Sequence, residues 1–338
     1  MINTMLKNFI IAIALVTALT SCGKKSQDTT QDKSALEIKE VRYMGSPGLV
    51  ILLELAEDLG FLAPLKTNYV GIATGGPQGI QTVLTDDVDI SSEAFNGAIA
   101  KVVATGAPVK AVIAAYGNME KPRFAYYVLD GSPIKTARDL IGKKVAVNSL
   151  GAQLEFVTTE YLYRAGLTKD EVKQVTFVVV PLSSGEQVLR QKQVDVAPLT
   201  DFGLERGGVR QLFKDYDLYG AVTVGSFVMS NKFIKEKPNA AKHIVGAIAK
   251  TIEWTRTHKP EEVIARMEAI FKKRNRNENN GNLKYWRGWG IAGTGSLMAD
   301  DEFQRWIDWL EKDGQLTAGQ VKASDVYTNE LNPYFKSP

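Results

Sequence analysis

Lys144-Val145-Ala146-Val147-Asn148-Ser149-Leu150-Gly151-Ala152-Gln153 decides the fold. Val145 to Val147 form a continuous apolar run, the mark of a strand covered on both faces. Asn148 and Ser149 are good helix caps. Leu154, Val157, Thr158, Tyr161, Leu162 and Ala165 then recur at helical spacing, and Gly166 closes the run. The stretch therefore reads as strand, polar turn and helix over 151–165. A helix that opens this way turns free N–H groups towards whatever lies beyond the strand's carboxyl end, a natural place for an anion or polar ligand.

The same event recurs along the chain. Val41 to Met44 lead into Gly45-Ser46-Pro47, where Ser46 is placed to cap and Pro47 to open a helix. Val88-Asp89-Ile90 lead into Ser91-Ser92-Glu93, and Val194 to Ala197 lead into Thr200-Asp201. In open parallel α/β sheets, ligands lie beyond strand ends of this kind.

Bulk composition narrows the class. The chain has 338 residues, 44% hydrophobic and 23% charged, with a net charge of +3. That length suggests about two domains. The charge is too small, and too poorly clustered, for nucleic acid as a partner. The basic run Lys272-Lys273-Arg274-Asn275-Arg276-Asn277 reads as a solvated loop.

Residues 1–21 read as an export signal, with Lys7 as the positive region and Phe9 to Leu19 as the apolar region. Leu19-Thr20-Ser21-Cys22 resembles a bacterial lipobox, which makes Cys22 the lipidation (palmitate) site and places the protein on the outer side of a bacterial membrane. More than one acyl chain is needed for stable anchoring. Cys22 is the single cysteine, so no disulfide holds the body. Residues 22–36 are polar and read as a flexible tether.

Beyond Glu37 the pattern alternates. Strand 38–44 precedes a helix bearing Leu49, Leu52, Leu53, Ala56 and Leu59 and ending at Gly60. Strand 68–72, a short helix after Gly75-Gly76-Pro77, strand 88–90, helix 93–104 and strand 109–115 follow. A second round runs from strand 145–147 through helix 151–165, strand 174–180, helix 185–192 and strand 194–197. Extended apolar segments at 123–129 and 221–229 separate the rounds. After Pro238 the chain is helical, with one face carrying Ile244, Val245, Ile248 and Ile252 and a later one carrying Phe303, Trp306, Ile307 and Leu310. Such alternation predicts parallel sheets covered by helices. Gly79-Ile80-Gln81-Thr82-Val83 before Val88-Asp89 matches Gly185-Glu186-Gln187-Val188-Leu189 before Val194-Asp195 at equal spacing. Two similar lobes follow, and Asp89 and Asp195 are read as structural.

Thr136-Ala137-Arg138-Asp139-Leu140-Ile141-Gly142-Lys143-Lys144-Val145-Ala146-Val147, then Ala165-Gly166-Leu167, Val180-Pro181-Leu182 and Val194-Asp195-Val196, resemble in their order the substrate-binding proteins of nitrate/sulfonate/taurine-type ABC importers. That family also holds the NMT1/THI5-like binders of thiamine precursors. Glu57-Asp58-Leu59-Gly60-Phe61 is similar to its first helix end. The likeness covers most of residues 40–310. Two departures are Asp87 and Gln193, where the family usually has Gly, and Leu199-Thr200-Asp201-Phe202, where it often has a Trp-Glu-Pro-like sequence and Asp here holds the acidic place.

The resemblance implies a type II periplasmic-binding-protein fold, α/β, with two lobes, a ligand cleft and two crossover strands. Lobe 1 is expected at 37–125 and 226–338, and lobe 2 at 126–225. It also implies capture of a small organic solute or oxyanion for ABC permease subunits, by a monomer, with no cofactor and no chemistry. A sensor or partner-docking lipoprotein, and a pyrimidine-related enzyme on the same fold, are the alternatives.

The candidate ligand-binding residues are Ser46, Ser91, Ser92, Asn148, Ser149, Gly151, Ala152, Asp201 and Trp289. For Ser46, Ser92 and Asn148, helix capping alone is the competing role, and a cap can do both. Gly151 permits close approach to the backbone or simply serves the turn. Asp201 favours a cationic or hydroxyl-bearing group, and Trp289 is a ligand-packing or core aromatic. Arg42 and Arg123 are read as surface residues, with pairing to an anionic ligand as the alternative. Gly288-x-Gly290-x-x-Gly293 lacks the strand of a dinucleotide fingerprint. His243 and His258 read as surface residues, and no metal is expected.

Overall fold

The computed structural model describes residues 35–73, 75–120, 125–199, 207–276, 278, 280–281 and 283–336. The signal segment, Cys22, most of the tether, Arg123 and Asp201 lie outside the described residues.

The first half of the chain lays down β1 (Glu40–Gly45), α1 (Leu52–Asp58), β2 (Lys66–Ile72), α2 (Gly76–Leu84), β3 (Ser91–Phe95), α3 (Asn96–Ala104) and β4 (Val109–Gly117). Then come β5 (Ala125–Leu129), β6 (Lys144–Val147), α4 (Gln153–Arg164), β7 (Thr176–Val179), α5 (Gly185–Arg190), β8 (Ala197–Leu199), β9 (Val209–Lys214) and α6 (Asp215–Tyr219). The chain returns through β10 (Thr223–Ser230), α7 (Pro238–Thr257), α8 (Pro260–Arg274) and α9 (Asp301–Lys312).

Strand order repeats in the two lobes. In the first, β1 and β2 pair in parallel, and β3-β10-β4 form the neighbouring ladder. In the second, β6 and β7 pair in parallel, β8-β5-β9 form a ladder, and a parallel bridge from Val145 to Val196 joins them. Each lobe thus takes in one antiparallel strand from beyond its own run of β-α units. β5 pairs with β8 and β9, while β10 returns to pair with β3 and β4.

The repeated aspartates explain the likeness of the two rounds. Asp89 N–H donates to Arg42 O at 3.0 Å, and Arg42 N–H donates to Asp89 Oδ2 at 2.8 Å. Asp195 N–H donates to Lys144 O at 2.8 Å, and Lys144 N–H donates to Asp195 Oδ2 at 2.8 Å. In each lobe the carboxylate closes a strand edge onto its neighbour by satisfying a backbone donor that would otherwise be left over.

The central strands are covered on both faces, as their apolar sequences require. β4 and β10 are buried almost throughout. α7 packs Ile244, Val245, Ile248 and Ile252 into the first lobe's core, and α9 adds Phe303, Trp306, Ile307 and Leu310. In the second lobe one core lies under α4, with Val145, Val147, Leu154 and Val157, and another lies on the opposite sheet face, with Ala146, Leu189 and Ala197.

Phe156 of α4 joins the lobes. Its ring meets Phe95 at 5.1 Å, Trp306 at 5.4 Å and Trp309 at 3.6 Å, and it is buried in the first lobe's core cluster. Trp309 Nε1 donates to Glu160 Oε2 at 2.9 Å and Tyr163 OH to Asp313 Oδ1 at 2.7 Å across the same seam.

Several helix starts differ from expectation. α1 begins at Leu52, not after Ser46, because residues 46–49 close a turn of their own with Leu49 N–H on Ser46 O at 3.2 Å. Ser91 and Ser92 lie within β3, and Phe95 precedes α3. α4 begins at Gln153, so Asn148 and Ser149 cap nothing. Helix ends were better marked: Gly60 and Gly166 both take φ near +80° just past α1 and α4.

The histidines are half-buried rather than free on the surface. His243 Nε2 meets Leu62 O at 2.9 Å, and the His258 ring stacks on Trp254 at 4.1 Å. The basic run departs furthest. Arg274 and Arg276 turn inward onto buried carboxylates. Among the described residues no helix is long and apolar enough to cross a membrane.

Candidate functional site

β6, β7, β8 and β9 all run in one direction, since β6, β7 and β8 are joined by parallel pairing while β8 and β9 both pair antiparallel with β5. Their carboxyl ends therefore share one edge of the lobe. Asn148 and Ser149 leave that edge after Val147. In the first lobe β1 and β2 end together at Gly45 and Ile72, and Ala73 N–H donates to Gly45 O at 2.9 Å. This bond ties the turn bearing Ser46 to the segment that enters α2.

The two edges meet at Gly75. A Cβ built on Gly75 would lie 3.4 Å from Asn148 Nδ2 and 3.4 Å from Ser149 Cβ. The head of α2 thus lies against the turn that follows β6 in the second lobe. Among the described residues the first turn of α2 carries no acidic side chain, and its positive end faces this junction. α4 differs. Glu155 accepts from Gly151 N–H at 2.7 Å and already occupies that helix's N-terminus.

The structure gathers some sequence candidates here and separates others. Ser46, Asn148 and Ser149 belong to this junction. Ser91 sits behind it, buried, its Oγ only 2.2 Å from where a Gly79 Cβ would stand. Ser91 therefore packs under α2, with half-buried Ser92 beside it. Gly151 and buried Ala152 line a different groove of about 250 Å³, shared with Phe156, Tyr163, Trp309 and Asp313. Trp289 is half-buried near the end of β4, where its carbonyl accepts from Gly117 N–H at 2.8 Å and its ring meets Trp286 at 5.9 Å. Its Nε1 is buried with no partner among the described residues.

Arg42 is held by Asp89 and Asp86, both at 2.8 Å, as its surface reading allows. Sequence reasoning missed a buried charge cluster beside the site. Glu54 on α1 accepts from Tyr43 OH at 2.6 Å, from Arg274 Nη1 at 2.9 Å and from Arg276 Nη1 at 3.2 Å. Glu278 accepts from Arg274 and from Gly48 N–H at 2.8 Å, and so fixes the turn after β1. Burial and the neighbouring Glu54 charge push the Tyr43 phenol up, with Arg276 opposing. The available signal was Glu54 itself, a charge set among Leu52, Leu53, Leu55 and Ala56. A buried charge needs a partner, and basic residues were at hand.

Two α/β lobes with this strand order and facing carboxyl ends define a periplasmic-binding-protein fold. The alkanesulfonate-binding protein SsuA from Xanthomonas axonopodis pv. citri, bound to MOPS, is similar with a TM-score of 0.66 and 17% identity, over 87% of this chain and 99% of that one. The periplasmic nitrate-binding protein NrtA from Synechocystis PCC 6803 aligns with a TM-score of 0.67 and 14% identity, over 88% of each chain. The desulfurization enzyme DSZB shares the fold at 0.56 and 16%, over 87% of this chain and 97% of that one. No curated protein matches the sequence. Residues 69–263, more than half of the chain, match the family described as NMT1/THI5 like, and the chain belongs to that family.

Proposed function

We propose that this protein is the extracytoplasmic solute-binding component of an ABC importer. It captures a small oxyanion or oxyanion-bearing solute between its lobes, sulfonate-, nitrate- or taurine-like, and delivers it to permease subunits as a monomer. The carrying observation is the positive end of α2, without an acidic side chain in its first turn among the described residues, which at Gly75 lies against Asn148 and Ser149 of the other lobe. Backbone N–H groups there, with Ser46 beside them, suit an anion that has to be bound and released without a covalent step. The similar alkanesulfonate-binding and nitrate-binding proteins support the same class.

In this reading the chain is cleaved before Cys22, acylated there, and tethered by residues 22–36. Lobe 1 spans 37–125 and 226–338, and lobe 2 spans 126–225. Ser46, Asn148 and Ser149 contact the solute, and Ser91 and Ser92 support α2. No catalytic residue is assigned.

The test is thermal shift of residues 23–338 with sulfonates, nitrate, taurine, amines and pyrimidines. A solute that binds the folded state alone at a hundredfold excess over its Kd adds about 2.7 kcal/mol. An unchanged midpoint across the whole panel refutes the reading.

A further inference from the structure

We propose that Arg276 contacts the solute and is the specificity-determining cation of the first lobe, selecting oxyanion groups. This rests on the importer reading above. Arg276 lies at the carboxyl end of β1 and β2, where Ser46 and the entry to α2 converge. Its Nη1 is 3.1 Å from the point a Gly45 Cβ would occupy. Gly45 has no positive φ, so its backbone does not require glycine, whereas a Cβ there would press on both the guanidinium and the Tyr69 ring, 3.3 Å away, that it stacks on.

Structural need alone does not account for Arg276. The Glu54 carboxylate already takes both oxygens' contacts to Arg274 Nη1, at 3.1 and 2.9 Å, together with Tyr43 OH and Ile51 N–H. Arg274 is spent within the cluster, its side chain 7% exposed and its other arm on Glu278. Arg276 adds a bond of 3.2 Å to Glu54 and one of 3.0 Å to Tyr43 OH. A guanidinium carries five donors. Its carbon stands 3.3 Å from the centre of the Tyr69 ring, which fixes its plane, and the side chain keeps 19% exposure. Two carboxylates and two guanidiniums balance in the cluster, so an arriving anion meets an oriented donor edge without net repulsion.

The test compares the 23–338 body with Arg276→Gln, Arg276→Lys and Gly45→Ala, titrated calorimetrically with methanesulfonate, nitrate and taurine. Thermal midpoints are taken without solute. Arg276→Gln is expected to weaken the best oxyanion at least about tenfold, the scale of one hydrogen bond to a charged group. Arg276→Lys is expected to fall between it and the wild type, since the charge remains but the planar fork is lost. Gly45→Ala, which presses on the guanidinium and on the Tyr69 ring beneath it while leaving every charge in place, is expected to weaken binding too. Unchanged affinity in Arg276→Lys and Gly45→Ala, even with a lowered midpoint, makes Arg276 structural and overturns the inference alone. A wild-type body that binds only amines or pyrimidines also overturns it and leaves the importer reading standing. One that binds no solute at all removes both.

Discussion

Asp215→Asn should flatten the pH dependence of stability. Asp215 is 7% exposed where β9 turns into α6. Gln153 Nε2 donates to its Oδ2 at 3.3 Å, and Oδ1 is buried without a partner among the described residues. Desolvation pushes this carboxyl up to about 7, and the Asp217 charge adds to it, while backbone N–H groups and Gln153 oppose. In the unfolded chain an aspartate titrates at about 3.9. The folded value lies above the unfolded one, so the folded chain holds the proton longer. Its stabilising contribution is complete below about pH 4 and is lost as pH rises through about 7. At the steepest, the loss is about 1.4 kcal/mol per pH unit, and across the window it sums to no more than about 4 kcal/mol. Asparagine keeps an acceptor for Gln153 and cannot ionise. Urea unfolding of both chains at about pH 4.5 and about pH 8 reads the effect, the variant gaining on the wild type by a few kcal/mol at the higher pH. A difference between the two chains that stays constant with pH refutes the reasoning.

Glu54→Gln leaves Arg274 and Arg276 facing a neutral amide in a buried setting, and the expected loss is about 3–5 kcal/mol in urea unfolding. A loss below about 1 kcal/mol would mean that water reaches the cluster. Cys22→Ser should abolish incorporation of labelled palmitate and release the protein from the membrane fraction. Retained label would place the lipid elsewhere.

Much of the architecture was legible. Val145 to Val147, the apolar runs of β4 and β10, and the stop signals at Gly60 and Gly166 act through neighbours a few residues away. The paired Val88-Asp89 and Val194-Asp195 announced two like lobes because one carboxylate does one job at each strand edge. Caps were misread at Ser46, Ser92 and Asn148. A serine or asparagine after a strand serves equally well in a closed turn, in a strand, or at the head of a helix, and composition does not choose among them.

The sequence by itself determined the periodicities, hence the strands, the helices and their alternation in two rounds. Tertiary structure alone decided three things. β10 enters the first lobe's ladder, Gly75 faces Asn148 across the junction, and Arg274 and Arg276 fold inward. The last depends on Glu54, some 220 residues distant along the chain. Hydrophobic period is a local property of the chain. The partner of a charge or of a strand edge is fixed only when distant segments are packed together and water is withdrawn.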